Sequence, residues 1–222
     1  MGSGVIFRGQ SDPLPPLNAI LDAETAARAG WDIIALGDAL LAGGARFIQI
    51  RGKQLSSAQL LRIADRLVAA GHACGAQIIV NDRVDVAKLS GAAGVHLGQD
   101  DVSVADARAM LGPNAIIGCS THTISEIEAA LLEPVTYVAV GPVFGTRSKD
   151  TGHEAVGVAL VSEAVRRAGA VPVVAIGGIT LETAPEVLAA GAASVAVISD
   201  LLTGGDPMAR VAAFQRLLDG FG

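Results

Sequence analysis

Residues 77–101 read QIIVNDRVDVAKLSGAAGVHLGQDD. Gln77–Asn81 is a short run rich in β-branched residues, Ala93–Leu97 is a second, and the stretch between them has room for one helix. Asp82 follows the first run directly, and Asp100-Asp101 close the turn after the second. Strand, helix and strand joined in this way imply a parallel pair with a right-handed crossover. Working outward, the same unit repeats. Further strand-like runs are Leu17–Leu21, Arg46–Ile50, Ala115–Cys119, Val135–Val140, Val171–Ile176 and Ser194–Ile198.

Helical patterns fill the gaps. Ser56–Ala73 carries apolar residues at helical spacing behind Ser56 or Ser57 as N-cap. Thr123–Leu132 opens with the capping-box pair Thr123 and Glu126. Leu181–Ala190 is followed by Gly191, and a last helix over Asp206–Leu218 has Pro207 in its first turn. Eight alternating units predict a single (β/α)8 barrel of the α/β class, over residues 13–222 behind a loose leader at 1–12. A doubly wound open sheet is the competing architecture.

Composition agrees. Of 222 residues 51% are apolar but only 3% aromatic, which suits buried parallel strands under Ala-rich helices. A net charge of −6 without a basic run argues against nucleic acid as a partner. No apolar stretch reaches the ~18 residues of a membrane span. The first ten residues hold no hydrophobic export core, and the two cysteines, Cys74 and Cys119, form no CxxC motif, so a reducing cytoplasm is expected. The oligomeric state is not legible, and a homo-oligomer stays open.

The polar residues gather behind the strands, at the end where barrel enzymes keep their active sites. Gln49, Arg51 and Lys53 alternate, as if along one strand and toward one face. Two cations aimed into a barrel mouth call for an anion, or else for a structural ion pair with a neighbouring carboxylate. Asp82 and Asp101 end adjacent strands and would repel unless a cation intervened. One or two carboxylates completed by phosphate oxygens and water make a magnesium site. The alternative is a helix N-cap, for which Asp100 is the better candidate. With no His/Cys cluster, zinc is not expected. Gly177-Gly178 and Ser199 follow strands seven and eight, where barrels bind phosphate on backbone N–H groups. Thr146, Ser148 and Lys149 lie on the longest loop of that face, as a lid would. His122 sits in a Ser-Thr-His-Thr turn and reads as either a structural hydrogen-bonding group or an acid/base. No Gly-x-Ser-x-Gly elbow is present.

Taken in order, QIRGK, VNDRVDVA, GVHLGQDD, GCSTHT, YVAVGPVFGTRSK, VVAIGGI and SVAVIS resemble the motifs of the thiamine phosphate synthase family, from about Leu17 to Leu202. That resemblance implies a transferase joining hydroxymethylpyrimidine diphosphate to thiazole phosphate with release of pyrophosphate and with Mg2+ as cofactor. It further implies Asp82 and Asp101 as metal ligands, and Arg51, Lys53, Asn81 and Lys149 as the diphosphate set. Gln49 and Ser120 would face the pyrimidine; Thr146, Ser148, Gly178, Ile198 and Ser199 would hold the thiazole phosphate. Two departures stand out. The family's Pro-Thr-x-Thr-Lys loop reads Gly145-Thr146-Arg147-Ser148-Lys149, and the Thr-Asp that ends its first strand reads Leu21-Asp22, removing one hydroxyl expected near the pocket floor. A thiazole tautomerase leaning on His122, or a regulatory barrel that binds phosphate without turnover, are the rival readings.

Overall fold

A computed structural model describes residues 13–145 and 154–221. Its strands are β1 (Leu17–Asp22), β2 (Phe47–Arg51), β3 (Gln77–Asn81), β4 (Gly94–Leu97), β5 (Ile116–Thr121), β6 (Tyr137–Val140), β7 (Val173–Ile176) and β8 (Ser194–Val197). Each is parallel to its neighbours, and β8 returns to β1, so the sheet closes into a barrel in chain order. Around it lie α1 (Ala23–Arg28), α2 (Ile33–Ala42), α3 (Ser57–Cys74), α4 (Val84–Ser90), α5 (Val104–Leu111), α6 (Ile124–Leu131), α7 (Gly157–Ala168), α8 (Ala184–Ala189) and α9 (Pro207–Leu218). The open-sheet alternative is thereby excluded. No helix among the described residues is long and apolar enough to cross a membrane.

Strand periodicity divides the core in two. Ile20, Phe47, Ile79, Ile116, Tyr137, Val174 and Ala196 point inward and fill the barrel. Leu21, Ile48, Ile50, Val80, Ile117, Val138 and Val197 point outward and pack under the helices. The helix α3 supplies Leu60, Ile63, Ala64, Leu67, Val68 and Gly71 to that outer layer, the i, i+3, i+4 stripe of an amphipathic helix. Its capping box is complete: Ser56 accepts from the Gln59 backbone N–H while the Gln59 side chain accepts from the Ser56 backbone N–H. At Thr123 only half the expected box forms. Thr123 accepts from the Glu126 N–H, but the Glu126 carboxylate takes the His122 N–H instead.

Several expectations are corrected. The strand β2 ends at Arg51, so Gln49 and Arg51 share the inner face while Lys53 is delivered by the following turn. Leu21 is buried in the outer layer, so a hydroxyl there would meet helices and not a pocket floor. Asp100 does not cap α5, whose N-cap is Ser103, with its hydroxyl accepting from the Asp106 N–H. The eighth helix is shorter than Leu181–Ala190, since Thr180 and Thr183 bond each other in a turn that holds residues 180–183 out of it. Neither cysteine is bridged.

Inside the barrel the one tyrosine of the chain needs a hole. Tyr137 is fully buried, set edge-on to Phe47 and stacked on His96. Its ring occupies the space a Cβ on Gly118 would claim, on the neighbouring strand. A close-packed interior cannot yield to such an overlap without off-rotamer side chains or backbone shifts. Gly118→Ala is therefore expected to cost about 1–3 kcal/mol, read as a fall in thermal midpoint of several degrees. An unchanged midpoint would show that the ring has room to move.

Candidate active site

The C-terminal mouth of the barrel is split by chemistry. The strands β1–β4 present the charged groups. Asp22 and Arg51 are register partners on β1 and β2, and their carboxylate and guanidinium pair directly. Glu24 stands 3.8 Å from the same guanidinium. Arg51 is thus in the structural ion pair that was the alternative reading. It is not consumed by it, for its Nε is buried without a hydrogen-bond partner, as is Glu24 Oε2. Burial alone would raise the Asp22 carboxyl, but hydrogen bonds from Thr25 and Arg51 outweigh it and hold the group below its ordinary value.

The two predicted metal ligands come together. Asp82 follows β3 with φ +63, the one non-glycine residue in the left-handed region among those described. Its backbone N–H reaches the His96 carbonyl at 2.8 Å, which ties the turn to β4. Asp101 returns from the β4 turn, accepting the Gly98 N–H at 2.7 Å, to within hydrogen-bonding reach of Asp82. Burial and the facing Asp101 push the Asp82 carboxyl up to about 6, against the pull of Lys53 and Arg51. Lys53 Nζ lies 3.7 Å from Asp82 and is 57% exposed, so it is screened and free to swing. Asn81 and Gln49 are buried and inward-facing beside these groups.

The strands β5–β8 present the other half, an open cavity of about 580 Å³ lined by Ser120, His122, Ala139, Pro142, Ile176, Gly178, Ile198 and Ser199 among others. Gly177 and Gly178 both have positive φ, and a Cβ on Gly178 would come within 2.7 Å of the Gly145 carbonyl. The Gly-Gly pair is required by this turn, which lies well before α8 begins. Ser199 does open a 3-10 helical segment, Ser199–Gly205, which is broken by non-helical backbone at Thr203 and Gly204. At Gly145 itself a Cβ would meet nothing within 4 Å, so glycine there answers to no packing demand. Thr146, Ser148 and Lys149 lie outside the described residues. His122 lines the cavity with Nδ1 2.5 Å from the Gly141 carbonyl.

The residues the sequence did not flag are those beneath Ser120. His96 on β4 bonds Ser120 Oγ through Nε2 and Tyr137 Oη through Nδ1, both at 2.8 Å. Gln99 donates to the Ser120 carbonyl at 2.5 Å. His96 and Tyr137 read as ordinary strand residues, and nothing in their spacing points to a network.

Similarity to known proteins accords with this geometry. A family model described as thiamine monophosphate synthase matches residues 17–201. The chain belongs to the thiamine monophosphate synthase family. A thiamine-phosphate synthase from Anaeromyxobacter dehalogenans is 45% identical over 186 residues, covering 84% of this chain and 83% of that one. Another from Roseiflexus castenholzii is 39% identical over 203 residues, covering 90% and 89%. Among solved structures, thiamine phosphate pyrophosphorylase from Pyrococcus furiosus superposes with a TM-score of 0.82 at 30% identity, covering 92% of this chain and 96% of that one.

The acid pair makes a thermodynamic prediction. A carboxyl with its folded-state pKa raised above the unfolded value favours folding only while protonated; that stability is lost as pH rises from about 4 to about 6. Asp82→Asn removes the charge and keeps a side chain that tolerates the left-handed backbone. Without added metal at pH 7.5 it should melt a few degrees above the wild type, the gap closing below pH 4. A variant less stable at neutral pH would overturn the electrostatic account.

Proposed function

We infer that this chain condenses hydroxymethylpyrimidine diphosphate with thiazole phosphate to give thiamine phosphate and pyrophosphate. The observation that carries the reading is the division of the mouth: paired carboxylates and two cations on β1–β4, and a largely apolar cavity on β5–β8 bordered by the Gly177-Gly178 turn and Ser199. An anionic leaving group and a neutral ring each have a matching half.

Charge supports a cation between the acids. Arg51 and Lys53 face four carboxylates, Asp22, Glu24, Asp82 and Asp101, so the described groups alone repel a diphosphate. Two adjacent carboxylates short of counter-charge suit a hard divalent ion that shares its remaining sites with phosphate oxygens. Mg2+ held by Asp82 and Asp101 would supply Lewis-acid stabilisation to the departing pyrophosphate. Lys53, Asn81 and the unpartnered Arg51 Nε would grip the same diphosphate, with Lys149 from the loop. Gln49 and Ser120 would orient the aminopyrimidine, whose electron-rich ring bears the positive charge left when the C–O bond breaks and the electron pair departs with the diphosphate. Gly178, Ile198 and Ser199, with Thr146 and Ser148, would seat the thiazole phosphate so that the ring nitrogen closes the new C–N bond. No side chain needs to act as a nucleophile. Alignment of the two reactants accounts for much of the acceleration, an effect that reaches about 7–11 kcal/mol in well-oriented systems.

The test is mass detection of thiamine phosphate from the two substrates in magnesium buffer. Asp101→Ala should lose at least a hundredfold in turnover while keeping a cooperative melt, and excess chelator should silence the wild type. Full activity in chelator would sink the metal assignment.

A further inference from the structure

Ser120 stands on a file of buried polar groups that runs across the barrel interior: Asn18 on β1, Tyr137 on β6, His96 on β4, then Ser120 on β5. Asn18, Tyr137 and His96 are at most 5% exposed, in a layer otherwise filled by Phe47, Ile20 and Ile116. A file of hydrogen-bonded groups of this kind has a direction. The direction is legible here. Asn18 bonds the Tyr137 hydroxyl, and its Oδ1 is buried without a partner, so its amide N–H end is the one turned to the phenol oxygen. Tyr137 then accepts from Asn18 and gives its own proton to His96 Nδ1. A neutral imidazole that accepts at one nitrogen donates at the other. His96 therefore carries its proton on Nε2 and donates to Ser120 Oγ.

We propose that Asn18, Tyr137 and His96 are positioning residues that occupy one acceptor lone pair of Ser120 from below and leave its hydroxyl proton for the cavity, so that Ser120 offers the substrate a hydrogen-bond donor. This rests on the reading that Ser120 faces the pyrimidine. It makes a lone-pair ring nitrogen of that ring the partner of the Ser120 proton. The reverse polarity, with Asn18 flipped and His96 protonated on Nδ1, would make Ser120 an acceptor and select the amino group.

Polarity can be measured without substrate. In uniformly 15N-labelled full-length protein, long-range couplings from the imidazole protons distinguish the two tautomers, and loss of the resonances in His96→Gln assigns them. The Nε2–H form is expected in the wild type. Tyr137→Phe, which keeps the ring and removes the donor, should abolish that single tautomer. It should also raise KM for the pyrimidine diphosphate about tenfold, with KM for the thiazole phosphate unchanged. In a Ser120→Ala background the same substitution should add nothing, since its effect passes through Ser120. An Nδ1–H wild type, or a Tyr137→Phe effect undiminished without the serine, overturns the proposal. If the wild type forms no thiamine phosphate, the functional reading fails by itself, and the tautomer still decides the polarity of the file.

Discussion

Among the described residues, four carboxylates and two cations crowd one half of the barrel mouth, and the rest of the site is arranged around that imbalance. Asp22 is the permanent anchor, neutralised by Arg51 and by the hydroxyl and N–H of Thr25. Asp82 and Asp101 are compensated less: an exposed Lys53 stands 3.7 Å from Asp82, and Asp101 accepts one backbone N–H. Their mutual repulsion is tolerated because the barrel fixes both turns: the Asp82 N–H is bonded to β4, and Asp101 is bonded to its own loop. A closed parallel sheet, rigid at its strand ends, can hold like charges together where a flexible loop would let them part.

The same closure explains how one mouth serves two unlike ligand halves. Adjacent strands bring groups from separate parts of the chain into register, so β1–β4 can be charged while β5–β8 remain mostly apolar. The opposite end of the barrel has a different task. There Arg108 donates to the carbonyls of Gly112, Pro113, Ala115 and Pro134, tying β5, β6 and α5 together through backbone oxygens. A cation spent on backbone oxygens far from the site serves stability, as residues of that face generally do.

Strand count, barrel closure and the partnership of Asp82 with Asp101 were legible in the sequence, because parallel strands read as short apolar runs and the functional side chains sit at fixed places behind them. Arg51 was half legible. Its inward direction followed from alternation, but its pairing with Asp22 depends on β1–β2 register, which no local pattern encodes. Leu21 was misplaced because a family position was read without the strand's in–out phase. The file beneath Ser120 escaped altogether. Asn18, His96 and Tyr137 lie on different strands, and only closure of the sheet makes them neighbours.

Gly118 and Tyr137 share one volume on adjoining strands. Neither residue can be inherited independently of the other: a lineage that acquires a side chain at 118 must give up the phenol, and with it the proton that sets the imidazole. Among related barrels the two positions should therefore covary, sorting homologues into those that carry the interior file and those that orient their serine by other means.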